Sequence, residues 1–244
     1  WGVWGGGYPG GNGYDMLWVD DTTGVFVSGW GIPLTPDALS DSVASVAYIN
    51  QYGNKILTPN VGFVKLATAG QLVHGSYLER VGGLRKVRRS PDGTVYALVS
   101  SPLGPYYQSY SGFGSAHPLI SHPGNKKTHT AILRLSPDCD SLLFGDNCES
   151  LGDSAMVLDF DIDSGGALLL FGGIGSGDLP VRNAWQTFQV GRCDYFAARS
   201  SENLDGIYWA TYIDNGNEWG LNYSWRDDLG YYSGTFNWGL GSLI

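Results

Sequence analysis

Apolar and polar side chains alternate in short runs along most of this chain, and each run stops at a cluster of Asp, Ser, Thr, Asn or Gly. "YDMLWVDDTTGVFVSG" (14–29) shows the pattern: one period-2 run, a corner ending on Gly24, and a second period-2 run. That period sends successive side chains to opposite faces of a strand, and an Asp/Gly corner between two such runs signals a hairpin. No window carries a sustained apolar stripe at helical spacing. The expectation is an all-β chain.

The pattern repeats. "LRKVRRSPDGTVYALVSS" from 84, "SAMVLDFDIDSGGALLLFGG" from 154 and "GLNYSWRDDLGYYSGTFNWG" from 220 follow the same plan, with corner glycines at Gly24, Gly93, Gly165 and Gly230, spaced by 69, 72 and 65 residues. A second class of strand–turn–strand segment lies between them: "GFVKLATAGQLVHGSYL" from 62, "AILRLSPDCDSLLFG" from 131 and "YFAARSSENLDGIYWATYI" from 195. Their corner residues are those that tolerate left-handed or Asx conformations. The opening "WGVWGGG" is placed like the end of such a segment. One unit is thus four strands in roughly 70 residues, and the chain holds about three and a half units. Four antiparallel strands side by side form a blade, and a blade must stack on neighbours to bury both faces. The sequence therefore predicts one β-propeller domain over 1–244, incomplete or part of a larger ring, with long insertions at 40–58 and 102–128.

These strings resemble the bacterial seven-bladed β-propeller repeat. "WVDDTTGVFVSG", "IPLTPDAL" and "GFVKLATAGQLVHGSYL" follow the order of its elements: a strand ending in Val-Asp, a Ser-Gly-Asn turn, a Pro-containing linker and a Phe-Val-Ala-Lys-Leu strand, in order and spacing more than in residue identity. "LDFDIDSGGALLLFGG", "DLPVRNAWQ" and "CDYFAARSSENLDGIYWATY" follow it again, and only 40–58 and 102–128 fall outside it. The resemblance implies a secreted or cell-surface bacterial protein with a binding or structural role. The number of units is too small for a closed seven-bladed ring, so the missing blades are expected from a longer polypeptide or from another chain.

Composition narrows the function classes. Thirty-seven glycines without a three-residue period fit many turns, and 9 Trp, 15 Tyr and 9 Phe exclude a disordered chain. A net charge of −9, with "LRKVRRS" (84–90) as its one basic cluster, argues against nucleic acid and against an anionic membrane surface. No apolar run is long enough to span a bilayer. Starting at Trp1 without Met or a signal peptide, the chain reads as a mature, clipped or excised segment. Of three cysteines, Cys139 and Cys148 flank "DSLLFGDN" and can staple a loop, leaving Cys193 odd; three buried thiols are the alternative.

Catalytic chemistry is sparse. There is no Gly-x-Ser-x-Gly elbow, and "GGIGSG" (172–177) leads into "DLPVRN" without the Lys-Ser/Thr pair of a phosphate loop. His74 falls in a strand pattern; His117, His122 and His129 lie in or beside a linker with no helix to align them on zinc. In "LDFDIDSGG", Asp159, Asp161 and Asp163 alternate, which puts three carboxylates on one side of a strand, a candidate calcium site; a solvated strand face ending in an Asx corner is the alternative. "PLGPYYQSYSGFGSAHP" (102–118) sets Tyr106, Tyr107, Tyr110 and Phe113 among Gly, Ser and Pro, a composition suited to contacting a protein or a glycan. The leading expectation is a non-enzymatic, adhesin-like module that binds another protein. The competing one is a carbohydrate-active protein, lectin or glycosidase, using the aromatic loops.

Overall fold

The computed structural model describes residues 14–20, 24–29, 31–42, 44–49, 55–79, 81, 83–100, 130–152, 155–175, 177–190, 194–213, 226–227 and 230–231. These form three four-stranded antiparallel sheets. The first runs β1 (Tyr14–Asp20), β2 (Gly24–Gly29), β5 (Val61–Leu66), β6 (Leu72–Leu78), with a separate hairpin, β3 (Ala44–Ile49) and β4 (Lys55–Pro59), inserted between β2 and β5. The second holds β7 (Gly83–Arg89), β8 (Val95–Ser100), β9 (Thr130–Leu135) and β10 (Leu142–Asp146) in chain order. The third holds β11 (Ala155–Ile162), β12 (Leu168–Ile174), β13 (Asp194–Ser200) and β14 (Ile207–Ile213), and a last two-stranded pair follows, β15 (Arg226–Asp227) and β16 (Gly230–Tyr231). The only helical turn among the described residues is a 3-10 turn at Glu149–Leu151.

All four hairpins expected around the corner glycines are present as adjacent antiparallel strands. Five corners share one design. In each, the first residue accepts a hydrogen bond from the amide three residues on: Gly70 to Ala67, Gly93 to Ser90, Cys139 to Ser136, Gly166 to Asp163 and Leu204 to Ser201. The donor in every case sits in the left-handed region, with φ between 59 and 94°. In the third sheet that residue is Gly166 and not Gly165, because Asp163 opens the corner and shifts the turn by one position. Cys139 and Leu204 adopt this conformation without being glycine, which costs on the order of 1 kcal/mol or more each. Both side chains are buried in hydrophobic clusters that offset the strain.

Two straps close sheet edges. Residues 31–42 run along β6: Thr35 N–H donates to Gly75 O, Tyr77 N–H to Ser40 O, and Gly31 N–H to the Tyr77 hydroxyl. Residues 177–190 run along β14 in the same way. Ala210 and Arg182 exchange backbone bonds, Tyr212 N–H donates to Gln186 O, and Leu179 N–H donates to the Tyr212 hydroxyl. The correspondence of "GIPLTPDAL" with "DLPVRNAWQ" is therefore structural. Gly75 is required, since a Cβ there would lie 2.0 Å from Pro33 O.

Among the described residues the sheets stack face to face and do not close into a ring. Alternation along β8 shows how. Val95, Ala97 and Val99 enter a cluster with Val61, Phe63 and Leu78 of the first sheet. Tyr96 and Leu98 enter one with Val157, Phe160, Leu170 and Phe196 of the third. The middle sheet is thus buried on both faces.

Candidate functional surface

Basic side chains at one register fasten each sheet to the next. Lys65, penultimate in β5, donates to Pro137 O at 2.5 Å and pairs with Asp138 at 3.2 Å, both on the β9–β10 corner. Arg134, penultimate in β9, reaches Glu202 at 3.2 Å and Asn203 Oδ1 at 3.1 Å on the β13–β14 corner. Arg134 also holds Asp92 of its own sheet at 3.9 Å. Along the first strands, Lys86 pairs with Asp159, and Arg88 with Asp161 at 3.3 Å. Two members of the "LRKVRRS" cluster are therefore spent between sheets.

The three alternating carboxylates do not gather. Asp159 and Asp161 turn to the second sheet's cations, whereas Asp163 bonds Arg199 at 2.7 Å and accepts from the Gly165 and Ala167 amides. The Arg199 guanidinium and then the Ala167 amide hold the Asp163 carboxyl below its ordinary pKa. Among the described residues no three His, Cys, Asp or Glu side chains come together as a metal site. The calcium expectation assumed carboxylates free to converge; cations 73 residues away in sequence claim two of them.

The Cys139–Cys148 staple is likewise not formed. Both are free, buried thiols at opposite ends of β10, and they belong to different hydrophobic clusters. Burial pushes the Cys139 thiol up to about 12 and the Cys148 thiol well above its usual value, which disfavours the thiolate form of both. Cys193 lies outside the described residues, as do Tyr106, Tyr107, Tyr110, Phe113, His117, His122 and His129. Buried His74 bonds Thr35 at 3.3 Å and faces Asp37 at 3.5 Å. It braces the first strap. "GGIGSG" begins within β12 and runs into the second strap, with no helix following.

Among the described residues the two most exposed aromatics are on that second strap; Tyr208 of β14 is exposed to a lesser degree. Trp185 is 84% and Phe188 65% exposed, with Val190 and Val181 beside them in sequence and also exposed. Bonds between Arg182 and Gln186 of the strap and Ala210, Thr211 and Tyr212 of β14 anchor it on either side of Trp185, so large apolar side chains stand on a tethered segment. This segment lies outside the aromatic-rich insertions to which the sequence points. The available signal is "NAWQTFQV" itself: two aromatics in a mostly polar segment, outside any strand alternation.

No family model matches the chain, and no curated protein does. Among the described residues, no helix is long and apolar enough to cross a membrane.

Proposed function

We propose that this chain is a non-enzymatic binding or structural module: a stack of propeller-type blades, incomplete or part of a larger ring, in a secreted or cell-surface protein. The observation that carries the reading is the pairing of a rigid stacked scaffold with Trp185 and Phe188 held out on a strap. Fixed aromatic anchors give contact area at low entropic cost and dominate interface energies. The expected partner is another protein. The surface setting rests on the resemblance of the repeat to bacterial propeller sequences.

A carbohydrate-active reading is the second candidate, favoured by the exposed Trp185 indole, on whose face a sugar ring can stack. One comparison separates the two. The chain and its Trp185→Ser/Phe188→Ser variant are applied to a glycan array and to a surface-protein extract from the source cells. The protein-binding reading expects partner capture that the variant loses at unchanged circular dichroism, with no glycan signal. Glycan signals lost in the variant favour a lectin, and turnover of any polysaccharide overturns the non-enzymatic reading.

A further inference from the structure

The third sheet has one face packed on the second and another half open. Along β13 burial alternates residue by residue: Phe196 and Ala198 are buried, whereas Tyr195, Ala197 and Arg199 are not. Leu169 lies opposite Arg199 and is exposed, and Phe171 stacks on Tyr195 with ring centroids 5.3 Å apart. On the first and second sheets the equivalent face carries the next sheet.

We propose that this face is the seat of a fourth sheet, the one the chain begins with β15–β16, and that Arg199 is its latch. The latch takes an acidic side chain from the corner between that sheet's third and fourth strands, as Lys65 takes Asp138 and Arg134 takes Glu202. The inference rests on the blade-stacking reading and adds a position and a chemistry to it.

Lys65, Arg134 and Arg199 are each the penultimate residue of a third strand. Lys65 engages Asp138, and Arg134 engages Glu202 and Asn203, on the corresponding corner of the following sheet. Arg134 keeps a second partner at home, Asp92, and Arg199 has the matching one, Asp163. Arg199 also lies 4.9 Å above the Tyr208 ring. What it lacks, among the described residues, is the following corner.

A second copy of this chain does not supply that corner. The two acidic corners are already engaged by Lys65 and Arg134. The first sheet's equivalent corner reads Ala67-Thr68-Ala69-Gly70-Gln71, without a carboxylate. It also lacks the apolar plug that Cys139 and Leu204 provide at the left-handed position, since Gly70 stands there with nothing within 4 Å of its missing Cβ. The first sheet is therefore not shaped to sit on another sheet's open face. A fourth sheet needs what the second and third have: an acidic corner and a buried plug.

The test extends the chain after Ile244 with a copy of its own residues 175–213, which carry a strap, a third–fourth strand hairpin and the Glu202 corner. Thermal unfolding is then compared for the extended chain, for Arg199→Ala, for Glu→Gln at the copied corner, and for both. The proposal expects the corner change to lower Tm by about 2 °C with Arg199 present and not at all without it. Because Arg199→Ala also releases Asp163 and Tyr208, only this coupling counts. Arg134→Ala with Glu202→Gln serves as the reference cycle. Coupling there and additivity at Arg199 overturns the proposal alone, while additivity in both overturns the latch reading it rests on. A concentration-dependent dimer of the unextended chain that Arg199→Ala abolishes also overturns it, by giving the face to a second copy.

Discussion

The second and third sheets have the same strand order and near-identical corners, yet they are buried differently. In β8 and β9 all but the last residue of β8 and Arg134 are buried, and the strands read as almost unbroken apolar runs, "VYALVS" and "TAILRL". In β13, "DYFAARS", burial alternates strictly. A sheet packed on both faces must be apolar at every position, whereas one packed on a single face needs only every second. Between these two sheets, place in the stack is written in the strands: near-continuous apolar runs where both faces carry a sheet, alternation where one does.

Substitutions on the two sheets should break that comparison most visibly. Leu98 is fully buried between the second and third sheets, so Leu98→Ala should cost about 2–5 kcal/mol in urea unfolding. Leu169→Ala on the open face should cost about 0.5 kcal/mol or less. Similar losses at both sites would mean that the third sheet's outer face is packed as firmly as its inner one. A smaller effect is expected at the strap. Gly75→Ala drives a methyl into Pro33 O and should destabilise by about 1–3 kcal/mol, whereas Gly177→Ala, whose Cβ would meet Gln189 Oε1 at 3.6 Å, should be near neutral.

The smallest effect concerns pH. Asp92 in the second sheet and Asp163 in the third both have depressed pKa values, Asp92 chiefly through the Ser90 hydroxyl and Asp163 chiefly through Arg199. A carboxylate with a folded pKa below its unfolded value stabilises fully above the unfolded value, roughly pH 4, and loses that contribution as pH falls through the folded one. Asp163→Asn and Asp92→Asn should each flatten the acid side of a Tm-against-pH curve. High salt should shrink the Asp163 contribution more, because a guanidinium partner is screened and a hydroxyl partner is not. Equal salt sensitivity would contradict the assigned causes.

The strands were legible in the sequence because corner chemistry and period-2 alternation are local. Every Asp-Gly corner joins the two runs beside it, and even the one-residue error at Gly165 arose only from where Asp163 starts the turn. Side-chain destinations were not legible. Asp159 and Asp161 look like a ligand stripe until Lys86 and Arg88 are set opposite them, and no local pattern encodes a pairing across 73 residues. Cys139 and Cys148 are close in sequence, but β10 carries them into separate cores. The latch register of Lys65, Arg134 and Arg199 was visible in the aligned "FVKL", "ILRL" and "AARS", and what it grips became clear only with the following sheet in place.

The straps along β6 and β14 have a bearing on self-association. An open strand edge offers unpaired N–H and C=O groups and is the usual place where sheet proteins recruit foreign strands and grow into aggregates. At Gly75, Tyr77, Ala210 and Tyr212 those backbone groups are already taken by residues of the same chain. The opposite edges, β1, β7 and β11, each carry a register irregularity between Tyr14 and Met16, Leu84 and Lys86, and Val157 and Asp159. Such bulges spoil a regular template for pairing. Sideways growth is therefore blocked at both borders of the first and third sheets. On the third sheet, what is left for another polypeptide to meet is the half-open face and not a strand border.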